Sequence, residues 1–227
     1  MLIKTIPLFL FQINSKKLFL TIQNIGHSIY KEKGSKFLGQ AVACTNETEA
    51  KNIIKDLRKQ NQGCVHVCYA YRFGSNKRLY KYSDDGEPSN SAGAPIFGQI
   101  KSFDLTNVLI TVVRYYGGTK LGVGGLIQAY KTASKQAIEN AVIGKDEDRK
   151  NIIIRFSHEY LHLAMNVIKT SNCQIIEKSL KANCQIQLSI PVSKSELIEK
   201  LSAIKNIKIA TKMVIIEIII IEIILRI

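Results

Sequence analysis

The segment 107–133, NVLITVVRYYGGTKLGVGGLIQAYKTA, constrains the chain more than any other. It opens as an apolar, β-branched run at 108–113 and turns polar and aromatic at Arg114, Tyr115 and Tyr116. Five glycines follow, Gly117, Gly118, Gly122, Gly124 and Gly125, with Lys120 among them, and then an Ala/Lys/Gln segment of helical character. Strand, glycine-rich loop and helix in this order can build an anion site. Backbone N–H groups approach a ligand where no Cβ intervenes, and a helix N-terminus adds partial positive charge. The same glycines serve equally well to pack a tight turn on a sheet, and the sequence weighs the two readings evenly. The loop has neither the phosphate-loop spacing, which ends in Gly-Lys-Ser/Thr, nor G-x-G-x-x-G after a strand, so nucleotide-binding folds of those kinds are not indicated.

A chain of 227 residues with 46% hydrophobic content supports one large or two modest packed domains. Its formal net charge is +14. Both halves are basic: 22 Lys and Arg stand against 12 Asp and Glu up to residue 150, and 10 against 6 beyond it. That field favours an acidic partner such as RNA, the ribosome or anionic lipid. The abundance of Lys and Ile is also a compositional bias, and carries about as much of the weight. Five cysteines, few and odd in number, fit a reducing cytoplasm better than a disulfide scaffold. The opening MLIKTIPLFLFQI is interrupted by Pro7 and lacks a small-residue cleavage site. The closing MVIIEIIIIEIILRI is broken by Glu217 and Glu222 and is too short to span a bilayer. The expectation is a cytoplasmic, soluble protein with no membrane segment, whose Ile-rich end forms a last strand and an apolar extension.

Periodicity and turn chemistry predict the elements. Residues 1–17 read as a variable lead-in, 18–23 as a first strand, 31–36 as a basic turn and 37–44 as a strand. Thr45 or Asn46 caps a helix, with Thr48 or Glu49 at the capping-box position and Ala50, Ile53, Ile54 and Leu57 on one face. Lys51, Lys55, Arg58 and Lys59 point outward as a solvated face. Residues 65–73 and 78–82 form a hairpin around Gly74, Ser75 and Asn76, followed by a polar loop at 83–95 and a short helix at 96–103 with Pro95 in its first turn. The helix of the opening segment runs over 124–141. The charged run 145–150 reads as a linker between domains at 18–144 and 151–227. Beyond it, strands at 151–156, 173–180, 184–190 and 207–216 alternate with helices at 158–170 and 193–203, the second opened by Ser193 and Glu196 as a capping box. The order βαββαβ is the ferredoxin-like arrangement. The fold class is therefore α+β.

Few residues carry chemistry by type and spacing. Asp84, Asp85 and Glu87 place three carboxylates within four residues and are the candidates for holding Mg²⁺, against the plainer reading of an Asp/Gly/Pro turn. Cys64, His66 and Cys68 share one face of a strand but lack the further ligands of a zinc site, and are too splayed for a Cys/His nucleophile pair. His158 and His162 lack the acidic partner of a metalloprotease helix. No nucleophile or base stands out, no cofactor is indicated, and no catalytic residue is named. Tyr115 and Tyr116 are either stacking faces for bases or strand aromatics.

Together, H-x-C-x-A-Y-R at 66–72, S-D-D-G-E-P at 83–88, A-G-x-P-I at 92–96, N-V at 107–108 and R-Y-Y-G-G-T-K-L-G-V-G-G-L at 114–126 resemble the IMPACT / YigZ family, and K-E-K-G-S-K-F at 31–37 fits the same pattern. The resemblance covers residues 20–140, and the second half resembles the smaller C-terminal domain of bacterial members. It implies a two-domain α+β protein: a ribosomal-protein-like β-α two-layer domain, as in elongation factor G, followed by a ferredoxin-like, elongation-factor-G-like domain. It also implies RNA or the ribosome as partner, with a role in regulating translation. The eukaryotic signalling role depends on an added N-terminal domain and is not transferred. Asn90-Ser91 replaces a usual Gly-Thr, and Gln128 stands where the family carries Arg, removing one cation near the glycine loop. The resulting expectation is a basic binding surface of Lys36, His66, Arg72, Arg114, Tyr115, Lys120 and glycines 117, 118, 122, 124 and 125, facing Asp84, Asp85 and Glu87. The alternatives are a Mg-dependent enzyme on a phosphorylated small molecule or nucleotide, and a protein–protein adaptor.

Overall fold

The computed structural model describes residues 18–171, 173–204 and 206–211. The expected lead-in at 1–17, and the last strand and Ile-rich extension beyond residue 211, lie outside the described residues. The contacts divide the chain between Asp146 and Glu147 into two compact units.

The first unit runs β1 (Leu18–Ile22), β2 (Gly26–Glu32), β3 (Ser35–Ala43), α1 (Glu47–Gln60), β4 (His66–Phe73), β5 (Leu79–Ser83), α2 (Gly93–Ser102), β6 (Val108–Tyr115), α3 (Gly122–Glu139) and β7 (Ile143–Glu147). Five strands form an antiparallel sheet in the order β2-β3-β6-β4-β5, and β1 pairs with β7 beside it. One face carries Phe37, Ala41, Cys68, Ala70, Val108, Ile110 and Val112 into a core shared with Ile96 and Ile100 of α2 and with Leu126, Tyr130, Ala133 and Ala137 of α3. Burying an aromatic such as Phe37 completely contributes about 1.5–3 kcal/mol. Helix α3 lies close on β2 and β3 because small residues meet there. A Cβ on Gly39 would stand 2.6 Å from the Ala133 carbonyl oxygen, which also accepts a 2.7 Å bond from Ser28 Oγ.

The other face of the sheet is not left bare, as a two-layer domain would leave it. Tyr71, Phe73 and Leu109 project there and bury against Ala50, Ile53 and Ile54 of α1, so β4 and β6 are apolar on both faces. Helix α1 starts as its sequence predicts: Asn46 Oδ1 accepts from Glu49 N, and Glu49 Oε2 accepts in return from Thr45 N, each at 2.9 Å. Strand β2 was not evident in the sequence. It forms a hairpin with β3 through Lys33 and Gly34, both at positive φ, as a two-residue turn requires.

The second unit contains β8 (Arg149–Ser157), α4 (Leu161–Lys169) after a short 3-10 turn, β9 (Gln174–Leu180), β10 (Asn183–Pro191), α5 (Glu196–Ser202) and β11 (Lys208–Thr211). The element order is βαββαβ, and the sheet is antiparallel in the order β11-β8-β10-β9. Ile152, Ile154 and Phe156 of β8 and Cys184, Ile186, Leu188 and Ile190 of β10 share a core with Ala164 and Ile168 of α4 and Leu197 and Leu201 of α5. Two details differ from the sequence reading. The two units divide within the charged run 145–150, but apart from Asp148 the run is strand, closing β7 and opening β8. The Ser193–Glu196 capping box does not form: Ser193 N and Oγ both bond to the Glu147 carboxylate, at 2.8 and 2.6 Å, and α5 begins after Ser195 without a side-chain cap.

Candidate functional site

The acidic loop between β5 and α2 spends its carboxylates on the fold. Asp84 Oδ1 accepts from Ala92 N and Gly93 N at 2.9 and 2.8 Å, and Oδ2 from Asn90 N at 2.9 Å, so this side chain caps α2 from eight residues upstream. Asp85, in the left-handed region at φ 45, accepts from Val67 N and from Arg58 Nη2, both at 2.6 Å, tying α1 and β4 to the loop. Glu87 turns inward and is 8% exposed. The three carboxylates therefore serve three different sets of donors. Among the described residues no group of three or more His, Cys, Asp or Glu is gathered around a point a metal could occupy.

Glu87 lies at the centre of a buried network. Its Oε1 takes Arg114 Nη1 at 2.6 Å and the Tyr130 hydroxyl at 2.7 Å, and His66 Nε2 lies 3.8 Å away. His66 Nδ1 donates to the Asp85 carbonyl at 2.7 Å, and Cys68 Sγ donates to the Asp84 carbonyl at 3.0 Å. Burial pushes the Cys68 thiol well up. Burial first, and then Cys68 and Glu87, push the Tyr130 hydroxyl far above its ordinary value. Neither group is poised to ionise near neutrality. The Arg114 guanidinium is sandwiched between the rings of Phe37 and Tyr116, each centroid 5.5 Å from Cζ, and its Nε has no hydrogen-bond partner. Arg114 is only 6% exposed and Arg72 7%. Arg72 sits apart from this network, where Nε donates to the Leu105 carbonyl at 2.5 Å and Nη2 approaches the Ile100 carbonyl at 3.5 Å, holding the end of α2. The expected basic surface thus loses both arginines to the interior, and His66, half-buried, is turned toward Glu87 and the Asp85 carbonyl. Tyr115 is half-buried, its hydroxyl bonded to Asn61 Oδ1 at 3.0 Å.

The glycine loop behaves differently. Only Gly117 is forced by packing: a Cβ there would fall 1.9 Å from the Gly34 carbonyl carbon, because the loop rests on the β2–β3 turn, and Gly117 N donates to Ser35 Oγ at 3.2 Å. Gly118 and Gly122 hold φ +86 and +75, which favours glycine, but nothing lies within 4 Å of a Cβ placed on either, or on Gly124. Helix α3 begins at Gly122 with no side-chain cap and no acidic residue in its first turn. A groove lined by Tyr30, Glu32, Lys33, Leu121, Gly125 and Gln128 opens between this end of α3 and the hairpin turn. Gln128 Nε2 donates to Thr132 Oγ1 at 3.1 Å. Lys31, Lys33 and Lys120 are exposed and Lys36 is half-buried, and none makes an ion pair among the described residues.

The structure therefore joins the acidic loop to the end of β6 through the Glu87–Arg114 pair, while the glycine loop that follows β6 keeps an exposed Lys120 and open space beside Gly118, Gly122 and Gly124. Tyr130 and Arg58, partners of the network, carried no motif signal of their own. Lys31 and Lys33 were legible as part of the basic turn.

Comparison with known proteins agrees with the motif pattern. The Impact N-terminal domain family matches residues 33–138. The IMPACT family member YvyE of Bacillus subtilis is 32% identical over 179 residues, covering 78% of this chain and 81% of that protein. An IMPACT family member from Thermus thermophilus is 32% identical over 157 residues, 69% of this chain and 84% of that protein. A solved structure of a hypothetical protein superposes with a TM-score of 0.66 at 23% identity, over 86% of this chain and 97% of that one, which is a likeness of fold. On these relatives the chain belongs to the IMPACT family.

Proposed function

We propose that this protein binds structured RNA, on the ribosome or in its service, in the cytoplasm, and so regulates translation. The observation that supports it is the set Lys31, Lys33, Lys36 and Lys120, which make no ion pair among the described residues, together with the uncapped start of α3 and glycines with open space beside them. Phosphate oxygens are what such a surface takes: lysines neutralise them and free backbone N–H groups bond them. Within the same reading the first unit is a ribosomal-protein-like domain. The second is a ferredoxin-like domain resembling that of elongation factor G, supported by its βαββαβ order and antiparallel sheet. The Mg-dependent alternative loses its support, because Asp84, Asp85 and Glu87 already accept from backbone and side-chain donors.

The test is binding of a labelled structured RNA by the wild type and by Lys33→Ala/Lys36→Ala/Lys120→Ala, between about 50 and 200 mM salt. The triple variant is expected to bind more weakly, and its salt slope to shrink by about 0.9 for each lysine that met a phosphate. Equal affinity and equal slope would remove the assignment. A partner that stays attached in pull-downs after nuclease treatment would favour the adaptor reading instead.

A further inference from the structure

Aromatic rings also lie exposed on the opposite flank of the sheet. Strand β5 is the sheet's edge and is exposed along nearly its whole length. Tyr80 and Tyr82 occupy alternate positions, so both point to the α2 side, and they remain 52% and 39% exposed. Each stacks on the ring of Phe97 in the second turn of α2: Tyr80 at 4.6 Å and 13°, Tyr82 at 5.9 Å and 23°. Lys101 Nζ stands 5.3 Å from the centre of the Phe97 ring. Arg78, two positions before Tyr80, is exposed, and neither it nor Lys101 makes an ion pair among the described residues.

We infer that Tyr80 and Tyr82, backed by Phe97 and flanked by Arg78 and Lys101, form a stacking platform for single-stranded RNA. The inference rests on the RNA reading above and adds a second, chemically distinct contact to it. One side of each tyrosine ring is fixed against Phe97, so little side-chain freedom remains to be lost when a base stacks on the side left open. The alternate spacing along an extended strand presents two rings in succession, as two neighbouring bases require. The unpaired cations lie where the phosphates of such a strand would run, which fits an anionic chain better than an uncharged peptide added to the β5 edge. Base stacking draws on the π-face and not on counterion release, so its loss has a signature different from loss of the lysines.

The experiment uses the full chain, a labelled 12-nucleotide oligouridylate and a labelled blunt RNA hairpin, read by fluorescence anisotropy over a salt series. Tyr80→Leu/Tyr82→Leu keeps apolar cover on Phe97 but removes the rings, whereas Tyr80→Phe/Tyr82→Phe keeps them. The leucine variant is expected to bind the oligouridylate about tenfold or more weakly with an unchanged salt slope, and to bind the hairpin as the wild type does. The phenylalanine variant is expected to match the wild type on both. Wild-type affinity in the leucine variant overturns the platform, as does a phenylalanine variant equally impaired. A wild type that binds the hairpin but not the oligouridylate overturns the platform and leaves the RNA reading standing. A wild type that binds neither removes both.

Discussion

The acidic loop at 83–88 reaches the end of β6 through Glu87 and Arg114, three residues before the glycine loop at 117–125 begins, yet the two loops are built in opposite ways. In the first, Asp84, Asp85 and Glu87 all accept from backbone N–H groups or buried side chains. In the second, glycines 118, 122 and 124 have empty space where a side chain would go, and Lys120 lacks an ionic partner among the described residues. A charge that the fold has already paired is spent on stability, since separating it again costs its desolvation. A charge left unpaired beside open backbone remains free to meet something else. The sequence shows that one loop is acidic and the other glycine-rich with a lysine, but not that the charges of the first are paired and that of the second is not.

The largest test of this contrast is Glu87→Ala. It strands the buried Arg114 guanidinium and removes the acceptor of Tyr130, and is expected to cost about 3–5 kcal/mol in urea unfolding. A loss below about 1 kcal/mol would show that the network is not structural and would reopen Glu87 as a ligand group. The lysine triple variant should move stability hardly at all while weakening RNA binding. Loss of stability there would erase the contrast from the other side.

Next is Gly117→Ala. The added methyl group has nowhere to go against the Gly34 backbone, so a loss of about 1–3 kcal/mol is expected from thermal unfolding. A neutral result would mean that the loop does not rest on the β2–β3 turn. A smaller effect is expected for Asp84→Ala, which leaves Asn90, Ala92 and Gly93 N–H groups without their acceptor at a cost of about 0.5–2 kcal/mol. Asp84→Asn, which keeps an acceptor oxygen, should recover part of it. Were Asp84 a metal ligand instead, both changes would leave stability untouched without metal and differ only in its presence.

What the sequence disclosed follows the same division. Strands β4 and β6, with runs of buried residues, and β3, buried at alternate positions, were legible from their apolar pattern, as were α1 from its cap and the βαββαβ order of the second unit. Strands β2 and β7 were not, because their polar residues, Ser28, Lys31, Lys145 and Asp146, blur the alternation that a half-buried strand shows. The inward turn of Arg114 and Arg72 had a signal that residue type outweighed. Arg114 shares its side of β6 with Ile110 and Val112, and Arg72 shares its side of β4 with Cys68 and Ala70, so period two alone places both in the core row. The partner that makes this tolerable for Arg114, Glu87, lies 27 residues earlier and comes near only once the sheet is assembled.

Gly124→Ala gives the smallest effect and the sharpest question. Gly124 lies in the first turn of α3 with an ordinary helical φ and nothing within 4 Å of an added Cβ, so neither backbone strain nor crowding explains a glycine there. On stability alone alanine should be favoured, by up to about 1 kcal/mol, because it lowers the entropy of the unfolded chain. If the glycine is there for a phosphate to reach the backbone, the same methyl group must cost RNA affinity. The expected outcome is a protein slightly more stable than wild type that binds structured RNA more weakly, with an unaltered salt slope because no lysine is lost. Unchanged affinity would mean that ligands do not approach α3 at this turn, and would confine the open surface of the glycine loop to residues 118–122 and Lys33.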